Sequence, residues 1–163
     1  MTRLLDVLFD RLAIFLTASA LTIALVAMAG QVIFRYFVGA SLIWAEEVAR
    51  YALVWSTMTG TAVAYRRGGH VAITDLVARL PRPGQALLRR LVHLLVLGFA
   101  VILAWQGWAL AMRNFARHQL SPALQVDIAW IYLAIPFGAV LIVVAALEAL
   151  LRGEGATRGS GAP

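Results

Sequence analysis

The sequence predicts an all-α integral membrane protein: four transmembrane helices plus a short amphipathic helix on the cytoplasmic surface, with both termini cytoplasmic. Three observations predict it. Of the 163 residues, 62% are hydrophobic and only 13% are charged, against about 25% charged in an ordinary soluble domain. The apolar residues fall in uncharged runs long enough to cross a bilayer. The 14 basic side chains, all arginine, lie between those runs and mostly on one side of the membrane they define.

A helix rises 1.5 Å per residue, so crossing a core of about 30 Å takes about 20 residues. The first uncharged run, Leu12 to Phe34 between Arg11 and Arg35, meets that length. So do the third, Leu91 to Met112, which includes His93, and the fourth, Ile128 to Leu147. The second, Tyr51 to Tyr65, falls short of it. It passes only if its helix starts near Ile43 to Glu47. The expected spans are therefore 12–35, 43–66, 90–112 and 128–150. Continuous apolar runs, rather than alternating ones, argue against a β-barrel. Ala27-Met28-Ala29 mimics a leader cleavage site, but the run is longer than the roughly 7–15 residues of a signal-peptide core, so an uncleaved first helix is expected.

Between the spans, Tyr36 to Ala40 is a short turn with Gly39 at hand for a tight reversal. Gly68-Gly69 breaks the second helix. Residues 71–80 then place Ile73, Leu76, Val77 and Leu80 on one face, the pattern of a surface helix. Pro81 and Pro83-Gly84 end it. The loop from Arg113 to Asp127 contains the turn signal Ser121-Pro122. Pro136 with Gly138 predicts a kink in the last helix. Residues 1–152 read as one membrane domain and 153–163 as a disordered tail. With four spans, ten arginines share the side of the termini and four lie opposite. The positive-inside rule puts the termini in the cytoplasm. The basic net charge of +6 is thereby an orienting charge beside the lipid bilayer, and no nucleic-acid partner is expected.

The absence of cysteine excludes a disulfide framework, a thiol redox centre and a thiolate metal site. The most informative stretch is Ser41 to Tyr51. On a helix Arg50 follows Glu46 by four positions and Glu47 by three, so either glutamate can pair with it. Arg35 falls at a similar depth. Arg35, Glu46, Glu47 and Arg50 thus gather at one membrane edge. They read either as a cluster gripping a partner subunit or neighbouring helix, or as an interfacial salt bridge. Tyr36, Trp44, Tyr51 and Trp55 serve there as aromatic anchors or packing groups. Ala52, Ser56, Gly60 and Ala64 form a small-residue stripe that permits close helix approach, inside the chain or toward a partner.

No nucleophile–base pair, metal constellation or phosphate-binding loop is visible, and the mid-membrane stretches carry no charge. A bis-histidine haem needs two facing histidines at matching depth, and His93 is the only histidine inside a span. Neither an enzyme nor a cofactor is expected.

The run Gln31-Val32-Ile33-Phe34-Arg35-Tyr36, then Ser41-x-x-Trp44-x-Glu46-Glu47-x-x-Arg50-Tyr51-x-x-x-Trp55, Gly60 and Gly68-Gly69-His70-Val71, resembles the small permease subunit of tripartite ATP-independent periplasmic (TRAP) transporters, the DctQ-type family. Ser121-Pro122-Ala123-Leu124 and Ile135-Pro136-Phe137-Gly138 resemble the same family's last external loop and fourth helix. Asp127 departs from it, where the family often has proline. The resemblance implies a bacterial inner-membrane importer of organic acids, such as C4-dicarboxylates, driven by an ion gradient. It implies two partners, a large multi-span permease that holds the substrate and a periplasmic solute-binding protein. It implies a scaffold role for this chain, with Gly68, Gly69 and His70 in the cytoplasmic loop. Two other readings remain open: a self-sufficient small exporter, and a membrane anchor of a respiratory complex.

Overall fold

The computed structural model describes residues 2–67 and 82–152. The expected surface helix at 71–80, the Gly68-Gly69-His70 element and the tail at 153–163 lie outside the described residues. The described chain is helical. Its one β-type feature is an isolated bridge between Leu120 and Asp127, inside a loop.

Helix α1 runs Thr2–Ile33 and continues as a π-helical turn, Phe34–Val38. Gly39, at φ 71°, ends it, because a left-handed residue cannot continue a helix and only glycine adopts it without strain. The expected turn at Tyr36 to Ala40 is thus shorter: Tyr36, Phe37 and Val38 still belong to the helix. Helix α2 runs Ile43–Arg66. Helix α3 runs Arg82–Arg117, well beyond the expected 90–112. Charge ended the apolar run at Arg113, but nothing in Arg113 to Arg117 breaks a helix. His118, at φ 45°, does. Pro83 is tolerated because it lies in the first turn, where its missing N–H has no helical partner.

The last apolar stretch is interrupted. Helix α4 covers Ala129–Tyr132 and α5 covers Ala134–Arg152. Pro136 explains the interruption: it has no N–H to offer the Tyr132 carbonyl, and its ring crowds that group. Bonds from Leu133 N to the Ala129 carbonyl and from Phe137 N to the Leu133 carbonyl, both 3.1 Å, carry the chain through.

The helices pack in a row: α1 on α2, α2 on α5, α5 on α3. Small side chains make the seams: Ala45, Ala49 and Ala62 of α2, Ala100 and Ala111 of α3, and Ala139, Ala145 and Ala146 of α5 are all buried. The bulky residues point outward, with Phe99 67% and Trp105 76% exposed. That inverts the soluble pattern and suits lipid, where helices associate by close backbone approach rather than by hiding large apolar groups. Two glycines show how close. A Cβ on Gly138 would lie 2.7 Å from Met58 Cβ and 2.9 Å from its carbonyl oxygen, and one on Gly107 would lie 2.7 Å from Ile135 Cγ2.

Three stretches, Arg11–Val38, Arg90–Arg117 and Ala129–Leu151, are long and apolar enough to cross a membrane. Helix α2 has 24 residues, which at 1.5 Å each is about 36 Å, but it carries Glu46, Glu47 and Arg50 near one end and Arg66 at the other.

Candidate functional site

The polar side chains collect at the two ends of the row. At the loop end, Glu47 sits one turn inside α2 and is only 7% exposed. Its Oε2 accepts three hydrogen bonds from the 121–124 turn: from Ser121 Oγ at 2.9 Å, Ala123 N at 3.1 Å and Leu124 N at 2.8 Å. The turn is itself closed by Ser121 N to the Val126 carbonyl at 2.8 Å and Ile128 N to the Gln119 carbonyl at 2.9 Å. Tyr51, one turn further along α2, lies beside Glu47 and Ser121. A buried carboxylate needs donors, and two converging backbone N–H groups with a hydroxyl supply them. The carboxylate fixes the connection from α3 to α4 against the start of α2.

The four charged residues do not form one network. Arg50 Nη2 pairs with Glu46 Oε1 at 3.1 Å, with both side chains more than half exposed. Glu47 turns instead to the loop. Arg35 and Glu46 line one open cavity with Met28, Gln31 and Val32. Of the aromatic residues, Tyr36 and Trp44 are exposed, while Trp55 packs on Phe137 of α5 with ring centroids 5.7 Å apart.

The small-residue stripe divides. Ser56 Oγ donates to the Thr17 carbonyl at 3.2 Å, and Gly60 faces the Thr17 side chain, so these two meet α1 within the chain. Ala52 is half-buried and Ala64 exposed. The centre of that seam is Thr59, whose hydroxyl lies 2.8 Å from that of Thr17. Each of the two also has a backbone carbonyl of its own helix at 2.8 Å, Ala13 or Trp55. These hydroxyls hold helices together and satisfy themselves locally.

The other end holds contacts that the sequence reading missed. Arg66 Nη2 meets Glu148 Oε2 at 2.7 Å, with the arginine side chain 9% exposed, joining α2 to α5. The Tyr65 hydroxyl lies 2.6 Å from His93 Nδ1, joining α2 to α3. His93 stands three turns inside α3, since that helix begins at Arg82. The available signal was Glu148, a lone carboxylate in an apolar helix, which must find a partner. Which partner depends on a tertiary contact across 82 residues. Among the described residues no group of three or more His, Cys, Asp or Glu side chains could hold a metal.

Comparison with known proteins identifies relatives. The family model described as tripartite ATP-independent periplasmic transporters, DctQ component, matches residues 24–154. The chain is 33% identical over 120 residues to a C4-dicarboxylate TRAP transporter small permease protein of Rhodobacter capsulatus, covering 71% of this chain and 51% of that protein. It is 25% identical over 149 residues to a sialic acid TRAP transporter small permease protein of Vibrio cholerae, covering 90% and 83%. It is 28% identical over 142 residues to an isethionate TRAP transporter permease protein, DctMQ, of Oleidesulfovibrio alaskensis, covering 83% of this chain and 22% of that larger protein.

Proposed function

Since the chain belongs to the DctQ component family of tripartite ATP-independent periplasmic transporters, we propose that it is the static small subunit of an importer whose substrate site lies in another chain. It is a multi-pass protein of the bacterial inner membrane. In this reading α2 crosses as a fourth span, and the termini face the cytoplasm, on the strength of the arginine distribution. The partner is a large multi-span permease, as the longer relative with the joint name DctMQ supports. A periplasmic solute-binding protein delivers the substrate, an organic acid such as a C4-dicarboxylate, and an ion gradient drives uptake.

The observation that carries the static role is the pair of polar locks. Glu47 ties α2 to the loop before α4, and Arg66 ties α2 to α5 at the opposite end. A helix fixed at both ends to its neighbour is suited to bracing, not to a sliding or rocking cycle. The middle of the spans carries no ionisable side chain with which to bind a charged solute, whereas membrane sites for ions and acids use such groups. Gentle-detergent purification of the tagged chain, with mass spectrometry of what accompanies it, tests the reading. A stoichiometric multi-span permease is expected. A lone chain that transports an organic acid in vesicles overturns it.

A further inference from the structure

We propose that the open cavity between α1 and α2 at the loop end binds the headgroup of an aminophospholipid, a phosphodiester next to a primary ammonium. The cavity has a volume of about 230 Å³ and is lined by Met28, Gln31, Val32, Arg35 and Glu46. Three of its features specify the ligand. Arg35 offers a cationic fork, the group that best matches a phosphate. Glu46 gives Oε1 to Arg50, which leaves Oε2 for a second cationic donor. Gln31 Oε1 is buried with no hydrogen-bond partner among the described residues. An orphaned acceptor of that kind is unfavourable until a donor reaches it.

One cation and one carboxylate oxygen line a single cavity, and the Gln31 amide in its wall adds a second acceptor once that side chain turns outward; together they call for a zwitterion, and the acceptors call for N–H donors. A primary ammonium has three of them; a quaternary ammonium has none. The aminophospholipid therefore fits where a choline lipid does not. Depth favours a lipid over a free solute. The helical path from Arg11 to Arg35 is about 36 Å long. With Arg11 at one face of a core about 30 Å thick, Arg35 reaches the headgroup layer of the other. Val32 and Met28 lie one and two turns deeper on the same face of α1 and are exposed, where an acyl chain would run.

The test uses the full chain, delipidated in mild detergent. It is titrated with short-chain phosphatidylethanolamine or phosphatidylcholine, and the bound lipid is counted by native mass spectrometry. The ethanolamine lipid should be retained about tenfold more tightly, as hydrogen bonds to a charged donor imply. Gln31→Leu should remove most of that preference, and Arg35→Gln should weaken both lipids. Val32→Trp, at an exposed position that leaves the core untouched, should block both if Gln31→Leu proves poorly folded. Equal retention of the two lipids overturns the proposal, as does an unchanged preference in Gln31→Leu or unimpaired binding in Val32→Trp. Soluble phosphoethanolamine that binds as tightly as the lipid overturns the lipid as its source. Lipid retention by the chain alone does not depend on uptake, so this result and the subunit assignment fail separately.

Discussion

The side chain with the most structural consequence is Glu47. One oxygen gathers a hydroxyl and two backbone N–H groups from a turn 74 to 77 residues away. Glu47→Ala leaves the buried Ser121 hydroxyl and the half-buried Ala123 and Leu124 N–H groups without their acceptor, at about 1–3 kcal/mol for the buried one and less for the others. A large fall in thermal stability in detergent is expected, and a smaller one for Glu47→Gln, whose carbonyl still accepts but without charge. Glu46→Gln, which loses only an exposed pair worth about 0–1 kcal/mol, should melt near the wild type. Identical melting of the Glu47→Ala and Glu46→Gln variants contradicts this ranking. The sequence marks Glu46, Glu47 and Arg50 as a group because helical spacing brings them together. It does not separate the two glutamates, because the donors that distinguish them arrive from a distant loop. The same limit hides Arg66 with Glu148 and Tyr65 with His93.

Among the elements, α5 is the most constrained, because it lies between α2 and α3. Its approach to α2 is set by Gly138, where an added Cβ meets Met58 backbone at 2.9 and 3.0 Å. Backbone cannot step aside as a flexible side chain does. Gly138→Ala should destabilise the chain by about 1–3 kcal/mol, read as a lowered midpoint in a detergent melt. Gly30→Ala, at a site with nothing within 4 Å, is the matched control and should hold or gain stability through its better helix propensity. Equal melting of the two variants would show that the seam relaxes freely. Hydropathy makes the helices legible, since the first three apolar runs each become one helix, the fourth becomes two, and α2 begins at Ile43, where the short second run required. Helix ends are less so. Charge marks where a run stops being apolar, but the helix stops where backbone conformation changes, at Gly39 and His118. Pro136 is legible as a distortion, and its carbonyl partner one turn back places the interruption.

At the scale of the whole molecule, α1 packs on α2 alone, while α2, α3 and α5 meet around Ala62, Ala100, Leu141 and Ile142. Short-range patterning predicts how many helices form but not which ones touch, so this arrangement had no sequence signal. The expected orientation rests on the ten-to-four division of arginines. The chain has no cysteine, so single substitutions report cleanly. Cysteine at Ser41, exposed in the connection from α1 to α2, should react with a membrane-impermeant maleimide in intact cells whose outer membrane is permeabilised, and cysteine at Gly84 only after lysis. The reverse pattern would invert the topology. The loop-end lock also has a timetable. Its acceptor is made 74 residues before the hydroxyl that binds it, and at about 5–20 residues per second the ribosome takes about 4–15 seconds to cover that distance. For that interval Glu47 is unserved by the loop, and Arg50, one turn away, is the nearest cation on its own helix. Until the loop is made, the long-range lock is absent and only donors or cations on the same helix are within reach of Glu47. A ribosome stalled before Ser121 should hold the chain in that state.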